Sequence, residues 1–183
     1  LRAMGEQHGF TVDVVREVMG QGGQPVSSTA IRRAVAGGDL AGAAALLGRR
    51  HAVSGPVVRG GERGRTIGYP TVNLAIPPDK LLPPDGVWVV EVETPRGRFG
   101  GMMNQGHRPT FDDGRRLLEA HLFDFEGDLY GREVRIAWMA PLRAIRRFDG
   151  VQDLRRQLEE DGIRARAMVA AARDDLDAPS APE

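Results

Sequence analysis

The chain has 183 residues, 25 of them basic, 25 acidic and none cysteine. That length suits one ordinary domain with a smaller appendage, and it can bury a core without covalent staples. Zero net charge and a pI near 7.1 argue against a general nucleic-acid binder, and the missing cysteines exclude disulfides and thiolate metal sites. No run approaches the roughly 18 apolar residues of a membrane span, and the first residues lack a signal-peptide pattern. A cytoplasmic protein without membrane or nucleic-acid partners is the expectation. Nothing in the sequence sets an oligomeric state.

Residues 1 to 48 read as mainly helical. Ser27, Ser28 and Thr29 offer N-cap hydroxyls ahead of Ile31 and Val35, which share one helical face. Gly37 and Gly38 stop that helix. Asp39 can cap the next, whose stripe is Leu40, Ala43, Ala44 and Leu47. From His51 the texture changes to short β-type runs at 51–58, 87–94, 98–104, 117–125 and 133–140. Pro77-Pro78, Pro83-Pro84-Asp85-Gly86 and Glu126-Gly127-Asp128 punctuate them. Short strands without intervening helices favour an antiparallel barrel or sandwich over a doubly wound sheet. A long helix follows, opened by a capping box from Asp149 to Gln152. Its stripe runs through Val151, Leu154, Leu158, Ala165, Met168, Val169 and Ala172, and residues 174–183 read as a frayed tail.

The stretch from Gly60 to Leu74 carries the chemistry. Gly60, Gly61, Gly64 and Gly68 let backbone N–H groups approach an anion, and Arg59, Arg63 and Arg65 supply charge. A P-loop would need Gly-Lys-Ser/Thr, but the single lysine, Lys80, lies outside the loop. Polyphosphate binding would then rest on backbone amides, arginine and a metal ion. Thr71 and Asn73 each offer a hard oxygen, and alternation in an extended segment turns both to one side. Asn73 and Asn104 are the only asparagines in the chain. Read from its glycines alone, the stretch is a hairpin whose Pro-Thr begins a strand.

The ending of the loop resembles a known family. Gly68-Tyr69-Pro70-Thr71-Val72-Asn73 is similar to the Gly-x-Pro-Thr-Ala-Asn motif of the flavokinases. That family comprises riboflavin kinases, alone or as the C-terminal module of bifunctional riboflavin kinase/FAD synthetases. Valine stands here in place of the family's alanine. Leu82-Pro83-Pro84-Asp85-Gly86-Val87-Trp88 resembles a further family segment, with tryptophan for tyrosine. The run from Asn104 through Gly106 to Arg108-Pro109-Thr110-Phe111 matches its Asn-x-Gly-x-Arg-Pro-Thr-Phe loop. Glu119-Ala120-His121, Leu129-Tyr130-Gly131, Leu142-Arg143, Phe148, Gln157 and Asp161 follow in the family's order. The resemblance covers about 50 to 172.

The resemblance implies a mainly β fold, a six-stranded antiparallel Greek-key barrel with a long C-terminal helix. It implies transfer of phosphate from ATP to the ribityl 5′-hydroxyl of riboflavin, giving FMN and ADP. Gly60, Gly61, Gly64, Arg65, Gly68, Tyr69 and Pro70 would bind nucleotide, and Thr71 and Asn73 would hold Mg²⁺-ATP. Glu119 would be the base. Period two also puts His121, Phe123 and Phe125 on its face, so His121 is a rival. Asn104 and Arg108 belong to a loop that either closes over flavin or phosphates or is a structural turn. The Arg143–Arg147 cluster reads as a solvated edge.

Val26 to Arg32 resembles the last motif of the adenylyltransferase module of bifunctional FAD synthetases. Ser27, Ser28, Thr29 and Arg32 would there meet nucleotide phosphate at a helix start. An ordinary multi-hydroxyl cap explains the same residues. The expected organisation is a helical remnant of that module over 1–48, a riboflavin kinase domain over 49–173, and the tail. Since the other half of that module is not in the sequence, no FAD synthesis is expected from this chain. The alternatives are a non-catalytic flavin- or nucleotide-binding regulatory barrel, and a fragment active only within a full bifunctional enzyme.

Overall fold

The computed structural model describes residues 1–20, 23, 25–61, 63–107 and 116–177, with side chains left aside at 63 and 173–177. Its element order is α1 (Arg2–His8), α2 (Ser28–Gly37), α3 (Leu40–Leu47), β1 (Ala52–Val58), α4 (Arg63–Thr66) and β2 (Val72–Leu74). Then come β3 (Gly86–Thr94), β4 (Gly97–His107), β5 (Arg116–Leu122), β6 (Glu133–Arg143) and α5 (Val151–Asp177). The strands close into a barrel in the order β1-β2-β5-β4-β3-β6, all neighbours antiparallel. β3, β4 and β5 are successive antiparallel neighbours and β6 returns beside β3, which is the Greek-key arrangement.

Alternation along the strands sorts the residues into two cores. Trp88, Val90 and Val92 of β3, Met103 of β4 and Leu118, Ala120 and Leu122 of β5 fill the barrel with residues from β1, β2 and β6. The alternate positions Val87, Val89, Met102 and Phe123 face outward and are covered by Leu158, Ala165, Met168 and Val169 of α5. The apolar stripe of the last helix therefore lies on the outside of the barrel, as its periodicity predicts. A buried carboxylate helps to hold it there. Asp161 is fully buried, accepting from Arg143 Nε at 2.8 Å and Gln157 Nε2 at 2.9 Å. Removing either donor would strand charge in a dry site. Arg143 is thus a structural clamp, unlike the solvated edge expected for its cluster.

The sequence misplaces three features. The fifth strand stops at Leu122 rather than 125, because Asp124 turns the chain with φ at 56°. The last helix begins at Val151, so Gly150 and not Asp149 occupies the N-cap position. β2 is not among the expected β-type runs, because three residues are too few to stand out as a strand.

The helical pair before the barrel forms as its caps require. Ser27 Oγ accepts from Ala30 N at 3.1 Å, and Asp39 Oδ1 accepts from Gly42 N at 2.8 Å. Leu40 joins the core cluster that fills the barrel, so the pair is packed onto it rather than tethered beside it.

Candidate active site

The three polar residues singled out in separate motifs stand on one rung of the barrel. Asn73 of β2 pairs with Glu119 of β5, and Glu119 pairs in turn with Asn104 of β4. All three alternate with core residues, so all occupy outward positions. With strands about 4.8 Å apart, the outer two positions lie about 10 Å from each other with the carboxylate between them. Continuing the β2–β5 register one residue beyond Val72–Ala120 sets Thr71 beside His121.

Asn73 carries the strongest signal. The side chain is 4% exposed, and its Oδ1 is buried without a hydrogen-bond partner. Burying such an oxygen unpaired costs about 1–3 kcal/mol, so it marks either strain or a ligand position. A carbonyl oxygen is a hard donor suited to Mg²⁺, and Thr71 adds a hydroxyl on the same face. Among the described residues no group of three or more His, Asp or Glu side chains is placed to hold a metal. The donor set therefore fits an ion held mostly by phosphate oxygens and water, with two protein oxygens.

The glycine-rich loop is folded down on this rung. Gly60 lies against the Asn73 amide so closely that a Cβ there would collide with it. Gly64 meets the Tyr69 carbonyl in the same way, and Tyr69 N–H donates to the Gly64 carbonyl at 2.8 Å. Gly68 has φ at 87°, a conformation that L side chains rarely adopt. Three of the four glycines are thus required by the backbone path, while Gly61 is an exposed position. Arg65 and Pro70 are exposed, and Arg59 sits over the Tyr130 ring at 5.6 Å. One turn of helix, α4, lies within the loop.

His121, the rival base, has one ring nitrogen engaged. Its Nδ1 lies 2.8 Å from the Pro70 carbonyl, which can only accept, so the ring donates through Nδ1–H. The Tyr69 ring meets it edge-on at 5.2 Å. Burial lowers its pKa, partly offset by that hydrogen bond, which keeps the ring neutral near pH 7. Arg155 Nε of α5 donates to the Ile67 carbonyl at 3.3 Å. Neither bond was legible in the sequence. His121 had a signal, its period-two spacing from Glu119, whereas Arg155 had none.

Asn104 is exposed, beside Glu119 on β4. Arg108 lies outside the described residues. Ser27, Ser28, Thr29 and Arg32 stay together at the start of α2, far along the chain from the rung. There Ser27 is the cap, and Arg32 donates to Ser28 Oγ at 3.3 Å. Tyr69 packs against the outer core under α5.

The Flavokinase family model, described as riboflavin kinase, matches residues 47–169. Bifunctional riboflavin kinase/FMN adenylyltransferases from Escherichia coli K12 and Haemophilus influenzae are each 39% identical, over 91% of this chain and 53% and 54% of their own lengths. The chain thus spans about half the length of those relatives. A crystal structure described as a macrolide-efflux protein from Streptococcus pneumoniae is 38% identical with a TM-score of 0.75, covering 89% of this chain and 53% of that one. Among the described residues no helix is long and apolar enough to cross a membrane. Riboflavin kinase from Trypanosoma brucei shares the fold at 20% identity and a TM-score of 0.51, covering 72% of this chain and 91% of that one. The match to the family model takes in the whole barrel and most of α5, and this chain belongs to the flavokinase family, the riboflavin kinases.

Proposed function

We propose that the chain transfers the γ-phosphate of ATP to the 5′-hydroxyl of riboflavin, using Glu119 as general base. The observation that supports this reading is the single rung Asn73–Glu119–Asn104 with its orphaned amide oxygen. Phosphoryl transfer asks chiefly for alignment and charge neutralisation. Asn73 Oδ1 and the Thr71 hydroxyl would hold Mg²⁺, which when bound neutralises charge on the phosphates. The glycine-rich loop, with Gly60, Gly61, Gly64 and Gly68, covers the nucleotide side of the rung. Asn104, with Arg108, serves the flavin side. The hydroxyl lies between, over Glu119. Its oxygen bonds to the γ-phosphorus as the bond to the β,γ-bridging oxygen breaks, the proton passes to Glu119, and ADP leaves.

Residues 1–48 belong, in this reading, to an adenylyltransferase portion, with Ser27, Ser28, Thr29 and Arg32 forming one wall of its phosphate site. That wall alone lacks the preorganised geometry for attack at an α-phosphate. Purified chain given riboflavin and Mg-ATP should yield FMN and ADP in equal amounts and no FAD, read by chromatography of the flavins. Binding of both substrates without FMN, across several divalent metals, would reject the kinase reading.

A further inference from the structure

The geometry points to His121 as a positioning residue that sets the Thr71 oxygen beside Asn73 and against Glu119; this rests on the site reading above. The β2–β5 ladder ends at Val72–Ala120, so ladder bonds do not fix the chain before it. Thr71 lies in that unladdered stretch, one residue after Pro70. Proline has no N–H to donate, which leaves its carbonyl as the one backbone handle at that position. His121 takes that handle at 2.8 Å. The ring is itself held by Tyr69 edge-on at 5.2 Å and Phe123 at 5.9 Å, so its bond direction is fixed by packing. It comes from the strand of Glu119, two residues on and on the same outward face. One side chain thus ties the strand of the base to the segment of the metal-facing oxygens. Arg155 makes a second, longer bond to the Ile67 carbonyl from α5.

A group that orients ligands without touching the ion usually contributes about 10–100-fold in metal affinity or activity. His121→Phe keeps the ring packing and loses the donor. Its expected result is faster amide hydrogen exchange over 67–73 in the ligand-free chain. Affinity for Mg²⁺ with a non-hydrolysable ATP analogue, by calorimetry, should fall about 10–100-fold, with kcat at saturation within about threefold. His121→Asn puts an amide N–H near the Nδ1 position and should restore both readouts, while His121→Gln reaches toward Nε2 and should not. Should His121→Phe fail to fold, the asparagine and glutamine variants decide alone. Unchanged exchange and affinity in His121→Phe, or equal behaviour of the asparagine and glutamine variants, overturns the assignment. Glu119→Gln in the same series keeps the two ideas apart. If it leaves kcat intact the catalytic reading fails, whereas exchange and affinity judge His121 independently.

Discussion

Two adjoining rungs of the barrel bury a carboxamide, and they use it in opposite ways. Gln105 points inward and is fully buried, and each end of its amide is used. Its Nε2 donates to the Pro83 carbonyl at 2.6 Å and the Pro84 carbonyl at 3.1 Å, and its Oε1 accepts from Trp138 Nε1 at 3.1 Å. Asn73, one residue offset and facing outward, leaves Oδ1 with no partner. The Pro83–Asp85 segment around Gln105 is further tied by Arg116, which donates to the Pro83 carbonyl at 3.0 Å and pairs with Asp85 at 3.0 Å. A satisfied buried amide specifies structure. One left open beside a carboxylate and under the glycine-rich loop is what the proposed metal role would account for.

The largest effect expected from breaking this contrast falls on Glu119, the carboxylate between Asn73 and Asn104. Glu119→Gln keeps size and one acceptor but cannot take a proton at neutral pH. It should lower kcat by about 10²–10⁴ with nucleotide affinity nearly unchanged, measured by steady-state kinetics and calorimetry. If His121→Ala reproduced that loss and Glu119→Gln did not, the base would be His121.

The two amides should separate stability from activity. Gln105→Leu leaves the buried Trp138 Nε1–H without its acceptor, whereas the Pro83 and Pro84 carbonyls keep donors in Arg116 and Trp88, and about 1–3 kcal/mol of unfolding free energy should be lost in denaturant titrations. Mg²⁺ dependence of the surviving enzyme should stay as in the parent. Asn73→Leu removes an orphan rather than a bond, so stability should move by less than about 1 kcal/mol. Its Mg²⁺ requirement and ATP affinity should weaken together, by at least about tenfold. Equal loss of stability in both variants would make Asn73 a structural amide and remove the main support for the metal assignment.

What the sequence disclosed follows the same division. β1 and β5 were legible through alternation, and β3, β4 and β6 as short β-type runs between turn signals. The helical pair was legible through Ser27 and Asp39, whose caps are local. Asn73, Glu119 and Asn104 were legible as candidates, but not as one rung, because register between strands far apart in sequence is set by closure of the barrel. The role of Gln105 was hidden for that reason too, since its partners are more than twenty residues away. The close approaches of Gly60 to the Asn73 amide and of Gly64 to the Tyr69 carbonyl were not legible, because they depend on how the loop folds back.

The smallest effect concerns a buried histidine on the satisfied side. His51 stacks on Trp138 at 5.3 Å, and its Nε2–H donates to the Leu81 carbonyl at 3.0 Å. Burial lowers its pKa, the Leu81 bond opposes that shift, and Lys80 and Arg49 add to it. Below the ordinary histidine value of about 6.5, the unfolded chain therefore binds a proton that the folded chain resists. The sign follows directly: stability is full above about 6.5 and declines as pH falls toward the lowered folded value. His51→Phe keeps a ring against Trp138 and removes the titration, at the cost of the Leu81 bond. Its stability at pH 7 should drop modestly. Its slope of unfolding free energy between about pH 5 and 6.5 should flatten, by no more than about 1.4 kcal/mol per pH unit for one proton. His121 has the same direction of shift, so some slope should persist in His51→Phe. Denaturant titrations across that window measure both parts. A slope unchanged by His51→Phe would show that this histidine does not contribute to acid sensitivity, and that the satisfied side of the barrel is indifferent to pH.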